Sequence, residues 1–127
     1  MKMRDIKFRA WDIKNKCMTA ISSISFKAGE IWCCGYPAGQ GKYEHEMVLE
    51  EAVLMQFTGL KSKNGLDIYE GDIIDDDVNC LHWIVKYSEH LCKFYLDPTR
   101  SGRWLDFETE IEYRVVGNIF SNPELLK

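Results

Sequence analysis

The sequence predicts an all-β protein made of an N-terminal β-meander and a small C-terminal barrel of the SH3-like kind, with one or two short helices. Apolar and polar residues alternate with a period of two at 5–11 and at 106–116, as they do in a half-buried strand. After Gly71 the pattern indicates about five short strands in roughly fifty residues, which suits a strongly bent barrel. Apolar residues make up 46% of the chain and aromatic residues 13%, which is enough for a packed core.

The N-terminal part, residues 1–57, is predicted to be the β-meander, followed by a short helix and a further strand. In its first strand Ile6, Phe8 and Ala10 share the inner face. Glutamates and apolar residues recur at helical spacing after residue 44, which predicts the helix. The expected elements are strands at 5–11, 18–27, 31–35 and 53–57 and a helix near 45–52.

The C-terminal part, residues 58–127, is predicted to be the barrel. Asn64-Gly65 and Gly71 suit tight turns, because Gly, and to a lesser degree Asn, tolerates positive φ. The strand at 106–116 is expected to turn four side chains to the core, namely Phe107, Ile111, Tyr113 and Val115. Further strands are expected at 81–87, 93–96 and 104–107, and a helix at 122–126 with Asn122 as its cap and Pro123 at its first position.

Cysteine and histidine form two pairs that invite a zinc interpretation, Cys80 with His82 and His90 with Cys92. If the strands that follow each pair form a hairpin, the pairs lie at opposite ends of it, ~20–25 Å apart. Zinc needs its ligands within ~2.0–2.3 Å of one point, so we expect no metal. The chain has five cysteines, an odd number, which fits free thiols in a reducing compartment.

Four aspartates occur within six residues, at Asp72, Asp75, Asp76 and Asp77. Their spacing differs from that of a calcium loop, which needs a central Gly and a distal Glu. The expectation is therefore a solvated acidic turn, in which the Asp72 side chain caps the backbone.

The charge is unevenly distributed, with a net +5 over residues 1–27 and −9 over the remainder. Such a split can mark a surface for a partner, or oppositely charged strands that lie side by side in one sheet. The tryptophans allow two interpretations as well, because strand aromatics either pack in a core or stack on single-stranded nucleic acid. They are Trp11, Trp32, Trp83 and Trp104.

Three stretches of the chain closely resemble the YopX family of phage and prophage proteins. They read KFRAWD at Lys7–Asp12, LMQFTGLKSKNGLDIYEGDII at Leu54–Ile74 and VVGNIFSNPELL at Val115–Leu126. The resemblance implies a small, mostly β accessory protein of a bacteriophage or prophage. It implies no substrate, cofactor or catalytic residue.

The expected function is that of a non-enzymatic module that binds a protein, without a cofactor, in the cytoplasm of a bacterial host. No catalytic set occurs at a recognisable spacing, no run of ~18 apolar residues could span a membrane, and the N-terminus lacks an apolar signal region. Exposed aromatics and strand edges favour homo-oligomers. The alternative is a nucleic-acid-associated module that uses the basic N-terminal strands. The candidate partner-binding residues are Lys7, Arg9, Trp11 and Trp104.

Overall fold

A computed structural model describes residues 3–34, 44–76, 81–100, 102–108 and 111–126 of the chain. The chain divides into two units, each built from antiparallel strands, so the predicted all-β class is confirmed. We call Lys7–Gln56 the N-unit, and Phe57–Lys127 together with Met1–Ile6 the C-unit. Within the described residues, no helix is long and apolar enough to cross a membrane.

The N-unit is a sheet in which every ladder is antiparallel. The strand order is β4-β3-β2-β1-β5, and β1, β2 and β3 form the predicted meander. The strands are β1 (Phe8–Asp12), β2 (Cys17–Ser25), β3 (Glu30–Cys34), β4 (Glu44–Val48) and β5 (Ala52–Lys61), the last of which continues into the C-unit.

The core of the N-unit is a cluster of small and aliphatic side chains. Ala10, Ile31 and Cys33 are fully buried, and Met47 is nearly so. Ile31 and Cys33 lie at alternating positions of β3, so Trp32 between them faces outward and is 36% exposed. Partly buried aliphatics complete this layer, among them Ile21 and Leu54.

The helix expected near 45–52 is wrong. The segment consists of β4 and a single 3-10 turn at Leu49–Glu51. Residues Glu44–Val48 pair along their whole length with β3, and Met47 lies opposite Ile31 in the core. The free edge of β3 thus offers the segment a full set of backbone hydrogen bonds, and this tertiary pairing overrides a weak helical pattern.

The C-unit contains a four-stranded antiparallel sheet in the order β10-β7-β8-β9, and a short strand, β6, that pairs with the end of β5. The Lys63 backbone N–H donates to the Tyr113 carbonyl at 2.8 Å, joining the turn after β5 to β10. These pairings are compatible with the predicted small barrel. The strands are β6 (Asp67–Tyr69), β7 (Asp72–Asp76), β8 (His82–Ser88), β9 (Lys93–Pro98) and β10 (Tyr113–Asn118).

The core of the C-unit takes one face of this sheet. Its buried members are Ile68, Ile74, Trp83, Val85, Leu96 and Tyr113. Phe107, Ile111 and Val115 pack against them, so the predicted inward face of 106–116 is confirmed. The predicted strand over that range is wrong in extent, because β10 begins only at Tyr113.

The described residues just before β10 are held by local hydrogen bonds. The Tyr113 hydroxyl accepts a hydrogen bond from the Glu108 N–H at 2.9 Å, and the Ile111 N–H donates to the Glu108 carbonyl at 3.3 Å. Of the strand expected at 104–107, a single bridge remains, between Leu105 and Leu96 of β9.

Two predicted turns are confirmed, and the terminal helix is shorter than expected. Gly65 and Gly71 have φ values of +81° and +83°, a region that glycine enters without strain. The terminal element is one 3-10 turn at Pro123–Leu126. The Asn122 side-chain oxygen accepts from the Asn118 N–H at 3.2 Å, so it closes the turn that precedes the element.

Candidate functional site

The N-terminal candidate residues lie on or beside β1, which has β2 on one side and β5 on the other. Arg9 lies opposite Ala20 and Met55, and its Nη2 is 3.8 Å from the Met55 sulfur. Lys7, Arg9 and Trp11 are all half-buried. β1 is therefore an interior strand of the N-unit, and its neighbours partly cover these side chains. Trp104 belongs to the C-unit and shares no element with them.

Trp104 lines an open cleft of about 270 Å³ on the C-unit, together with Ser88, His90, Leu91 and Tyr95. Trp104 is 48% exposed and Leu91 53%. We call this feature the Trp104 cleft. Its walls are mainly apolar side chains, with the hydroxyls and the imidazole as the polar groups.

The β8–β9 hairpin builds the floor of the Trp104 cleft. Val85 and Leu96 point into the core. Tyr95 precedes Leu96 on β9, so its side chain points to the outer face of the sheet. The turn at the tip is held by the Ser88 hydroxyl, which accepts from the Leu91 N–H at 3.1 Å. This turn raises Leu91 beside the aromatic floor.

The segment that follows β9 places Trp104 over this floor. Leu105 and Leu96 exchange two backbone hydrogen bonds of 2.8 Å each. The Trp104 ring then meets the Tyr95 ring edge-on, with centroids 5.9 Å apart and an interplanar angle of 77°. Such T-shaped pairs are a favoured aromatic geometry, so the aromatic wall is preformed.

Charges around the Trp104 cleft are balanced by local pairs. Lys93 forms an ion pair with Asp106, and its Nζ lies 5.0 Å from the centre of the Trp104 ring. On the same sheet face Lys86 pairs with Asp97. The Lys93 ammonium holds the indole from one side through a cation–π contact. The arrangement can therefore bury an apolar side chain without leaving these cations unpaired.

Two members of the acidic cluster are buried, so the expected solvated turn is wrong for them. Asp72 and Asp76 lie on β7 and are 1% and 3% exposed. The Asp76 carboxylate accepts from the Trp83 Nε1–H at 3.3 Å, and Asp75 pairs with Arg114. The predicted capping role of Asp72 is confirmed, because its Oδ2 accepts from the Tyr69 N–H at 2.8 Å. Asp77 lies outside the described residues.

The predicted β8–β9 hairpin is confirmed, with Ser88 opposite Lys93 next to the turn. His82 lies at the end away from the turn, whereas His90 and Cys92 are in the turn itself. Cys80 lies outside the described residues. In the ranges that the structure describes, no three His, Cys, Asp or Glu side chains gather where they could hold a metal ion.

The described cysteines are free thiols in different surroundings. Cys17 and Cys33 are buried in the N-unit, and Cys92 is exposed. Burial raises the pKa of the Cys17 thiol above its ordinary value, and the Asp12 carboxylate raises it further. Of Cys34 only the backbone is described.

The sequence singled out Trp104 but missed three residues that complete its cleft, Ser88, Leu91 and Tyr95, and it offered His90 only as a possible zinc ligand. One signal for Tyr95 was present, because it alternates with Leu96 in a predicted strand. Nothing in the spacing indicates that Trp104 lies over Tyr95, since a single bridge between Leu105 and Leu96 makes that contact.

Comparison with known proteins gives a family and a structural relative. The family model described as YopX protein matches residues 7–127. A crystal structure of protein EF1440 from Enterococcus faecalis is similar to this chain, with 25% sequence identity and a TM-score of 0.66. The similarity covers 98% of this chain and 100% of that one. No curated protein matches.

Proposed function

Because this chain belongs to the YopX family, whose model it matches over residues 7–127, we propose that it is a non-enzymatic phage or prophage accessory protein that binds another protein. It acts in the cytoplasm of the bacterial host. Membership of the family identifies no substrate and no reacting group. The proposal of a binding role therefore rests on the geometry of the C-unit.

The observation that supports this proposal is the Trp104 cleft. Protein interfaces are dominated by a few anchors that fill well-packed pockets, with tryptophan and tyrosine among the most frequent. Here Trp104 and Tyr95 form a fixed aromatic corner, and Leu91 stands half-exposed beside it. A cleft of about 270 Å³ lies just below the ~300–1,000 Å³ typical of small-molecule sites. Its size suits one or two side chains of a partner.

The test is affinity capture from bacterial cells in which the prophage is induced. The bait is the full chain, either wild type or Trp104→Ser, and each lysate is divided into nuclease-treated and untreated portions. The matched control is Trp32→Ser, because Trp32 is an N-unit tryptophan that is 36% exposed and is not one of the residues that line the cleft. A captured protein is then purified and its affinity for each variant is measured by calorimetry.

We expect one protein to be held by the wild type and by Trp32→Ser, to be lost from Trp104→Ser, and to resist nuclease. Loss of a central aromatic anchor costs about 2 kcal/mol or more, which is roughly a thirtyfold rise in Kd. Equal capture by the wild type and Trp104→Ser would overturn the role of the cleft. Capture that disappears with nuclease would instead favour the nucleic-acid alternative.

A further inference from the structure

We propose that the Trp104 cleft receives the Phe26 side chain of a second copy of this chain. The inference rests on the proposed binding role of the cleft and names one occupant for it. It requires two features on each copy, an exposed aromatic knob in the N-unit and an apolar hole in the C-unit.

Phe26 is the knob. It lies at the tip of the β2–β3 hairpin and is 73% exposed. Single exposed apolar residues are common on protein surfaces, but hairpin tips are normally made of Gly, Asn, Asp, Pro and Ser. Leaving the apolar area of this ring in water is unfavourable, and a partner that covers the ring removes that cost.

The turn that presents Phe26 is fixed by hydrogen bonds. The Ser25 hydroxyl accepts from the Ala28 N–H at 3.2 Å. Gly29 has a φ of +68°, and its carbonyl accepts a hydrogen bond from the Leu49 N–H at 2.9 Å. A side chain held in place before binding loses less conformational entropy when it docks, so the turn is suited to act as an anchor.

The Trp104 cleft matches this knob in size and chemistry. Its volume of about 270 Å³ accommodates one aromatic ring. A phenyl ring entering it would meet the Tyr95 and Trp104 rings, and aromatic pairs contribute about 0.5–1.5 kcal/mol beyond the area that they bury. The Leu91 side chain offers an apolar contact from the turn of the β8–β9 hairpin.

Charges on the two features are complementary. Lys27 follows Phe26 and is exposed, while Glu89 precedes the cleft residue His90 and is exposed as well. Docking of the Phe26 turn beside the Trp104 cleft of another copy places the Lys27 ammonium near the Glu89 carboxylate, and this opposite-charge contact favours that orientation.

Knob and hole are different surfaces, so the contact is heterologous. Each copy can give its Phe26 to one neighbour and receive another Phe26 in its own cleft. Damage to either feature removes one half of every contact and leaves the other half intact, which makes the inference testable by complementation.

The experiment measures self-association of the full chain by sedimentation velocity across a concentration series. The variants are Phe26→Asp, which removes the knob, and Leu91→Asp, which spoils the hole. Leu66→Asp is the matched control, because Leu66 is another exposed turn leucine, at 52%, outside the cleft. Circular dichroism and thermal unfolding confirm that each variant is folded.

We expect the wild type and Leu66→Asp to associate, and Phe26→Asp and Leu91→Asp each to raise the Kd about thirtyfold, as loss of a hot-spot anchor does. An equimolar mixture of the two defective variants should form a 1:1 complex, since the Phe26→Asp chain keeps an intact cleft and the Leu91→Asp chain keeps an intact Phe26. Phe26→Tyr should retain association.

A wild type that stays monomeric, or a mixture that fails to form the 1:1 complex, would overturn the inference. Neither result bears on the proposed function, which is decided by capture of a foreign protein with Trp104→Ser. The Phe26→Asp variant separates the two, because we expect it to weaken self-association about thirtyfold while leaving the Trp104 cleft open to a foreign partner.

Discussion

The Asp72 carboxylate closes the turn between β6 and β7. It is almost completely buried, and its Oδ2 accepts the Tyr69 N–H at 2.8 Å. A buried donor that loses its acceptor costs about 1–3 kcal/mol. We therefore expect Asp72→Ala to lower the free energy of unfolding by about 1–3 kcal/mol, measured by urea denaturation.

Asp75→Ala is the matched control for that prediction. Asp75 is next in the aspartate cluster, but it pairs with the exposed Arg114 at 3.3 Å, and such pairs contribute only about 0–1 kcal/mol. Asp72→Asn retains an acceptor oxygen and should lose less stability than Asp72→Ala. Equal losses from Asp72→Ala and Asp75→Ala would contradict the capping role.

The thiols of Cys17 and Cys92 should react at very different rates. The thiolate is the reactive form, and burial together with Asp12 raises the pKa of Cys17, whereas Cys92 is exposed. In a chain with Cys34→Ser and Cys80→Ser, we expect iodoacetamide at about pH 8 to modify Cys92 first and Cys17 only after unfolding. Peptide mass spectrometry reads each site separately.

The same shift has a consequence for stability against pH. A thiol whose folded pKa is raised above its unfolded value stabilises the fold while it is protonated, and that contribution decreases as the pH rises past the ordinary value of 9.0. Cys17→Ala should remove the part of the loss of unfolding free energy at alkaline pH that comes from this thiol.

Equal alkylation rates for Cys17 and Cys92 in the folded chain would show that Cys17 is not protected.

At the scale of elements, Gly117 and Asn122 determine how β10 ends. A Cβ on Gly117 would lie 2.5 Å from the Asn122 side-chain oxygen, which also accepts the Asn118 N–H. The oxygen cannot retreat without losing that bond. We expect Gly117→Ala to lower the unfolding free energy by about 1–3 kcal/mol, measured by thermal and urea unfolding.

A double-mutant cycle tests the cause of that loss. Asn122→Ala removes the obstructing side chain, so Gly117→Ala should cost much less in that background, and the two changes should not add. Gly102→Ala is the control, since its added Cβ meets Pro98 at an ordinary 3.5 Å. Strict additivity of Gly117→Ala and Asn122→Ala would exclude the clash.

Whether an element could be predicted from the sequence depended on how near its hydrogen-bonding partner lies in the chain. The meander β1–β2–β3 and the β8–β9 hairpin join neighbours in sequence, so local alternation and turn residues were sufficient to predict them. The sequence predicts a helix where β4 lies, because the residues of this segment do not reveal that it pairs with the edge of β3. Likewise 106–112 alternates like a strand, yet β10 begins only at Tyr113, whose hydroxyl accepts a hydrogen bond from the Glu108 N–H.

Prediction of the candidate site was limited for a related reason. Trp104 is a candidate as an exposed aromatic residue, and in the structure it is 48% exposed. Lys7, Arg9 and Trp11 are candidates because of their charge and alternation, but β1 is an interior strand and these three side chains are half-buried. Whether a strand lies at an edge is a property of the sheet order, which one strand's sequence does not encode.

Over the whole molecule the charge balance opposes nucleic-acid binding. The chain carries a net −4, and cations on the C-unit sheet are engaged by aspartates, as Lys93 is by Asp106 and Arg114 by Asp75. Affinity for nucleic acid comes chiefly from cations that neutralise phosphates and release counterions. Stacking on Trp104 alone would contribute about 1–3 kcal/mol, which is too little for measurable affinity.

We therefore expect fluorescence anisotropy to show no binding of a labelled oligothymidine at low salt and ~10 µM protein, a concentration at which non-specific DNA-binding proteins already associate. Lys7→Glu combined with Arg9→Glu is the decisive control, because these residues belong to the basic N-terminal segment. If the wild type bound in a salt-sensitive manner and the double variant did not, the nucleic-acid alternative would replace protein binding. Binding that was lost instead in Trp104→Ser would place that nucleic-acid site at the cleft.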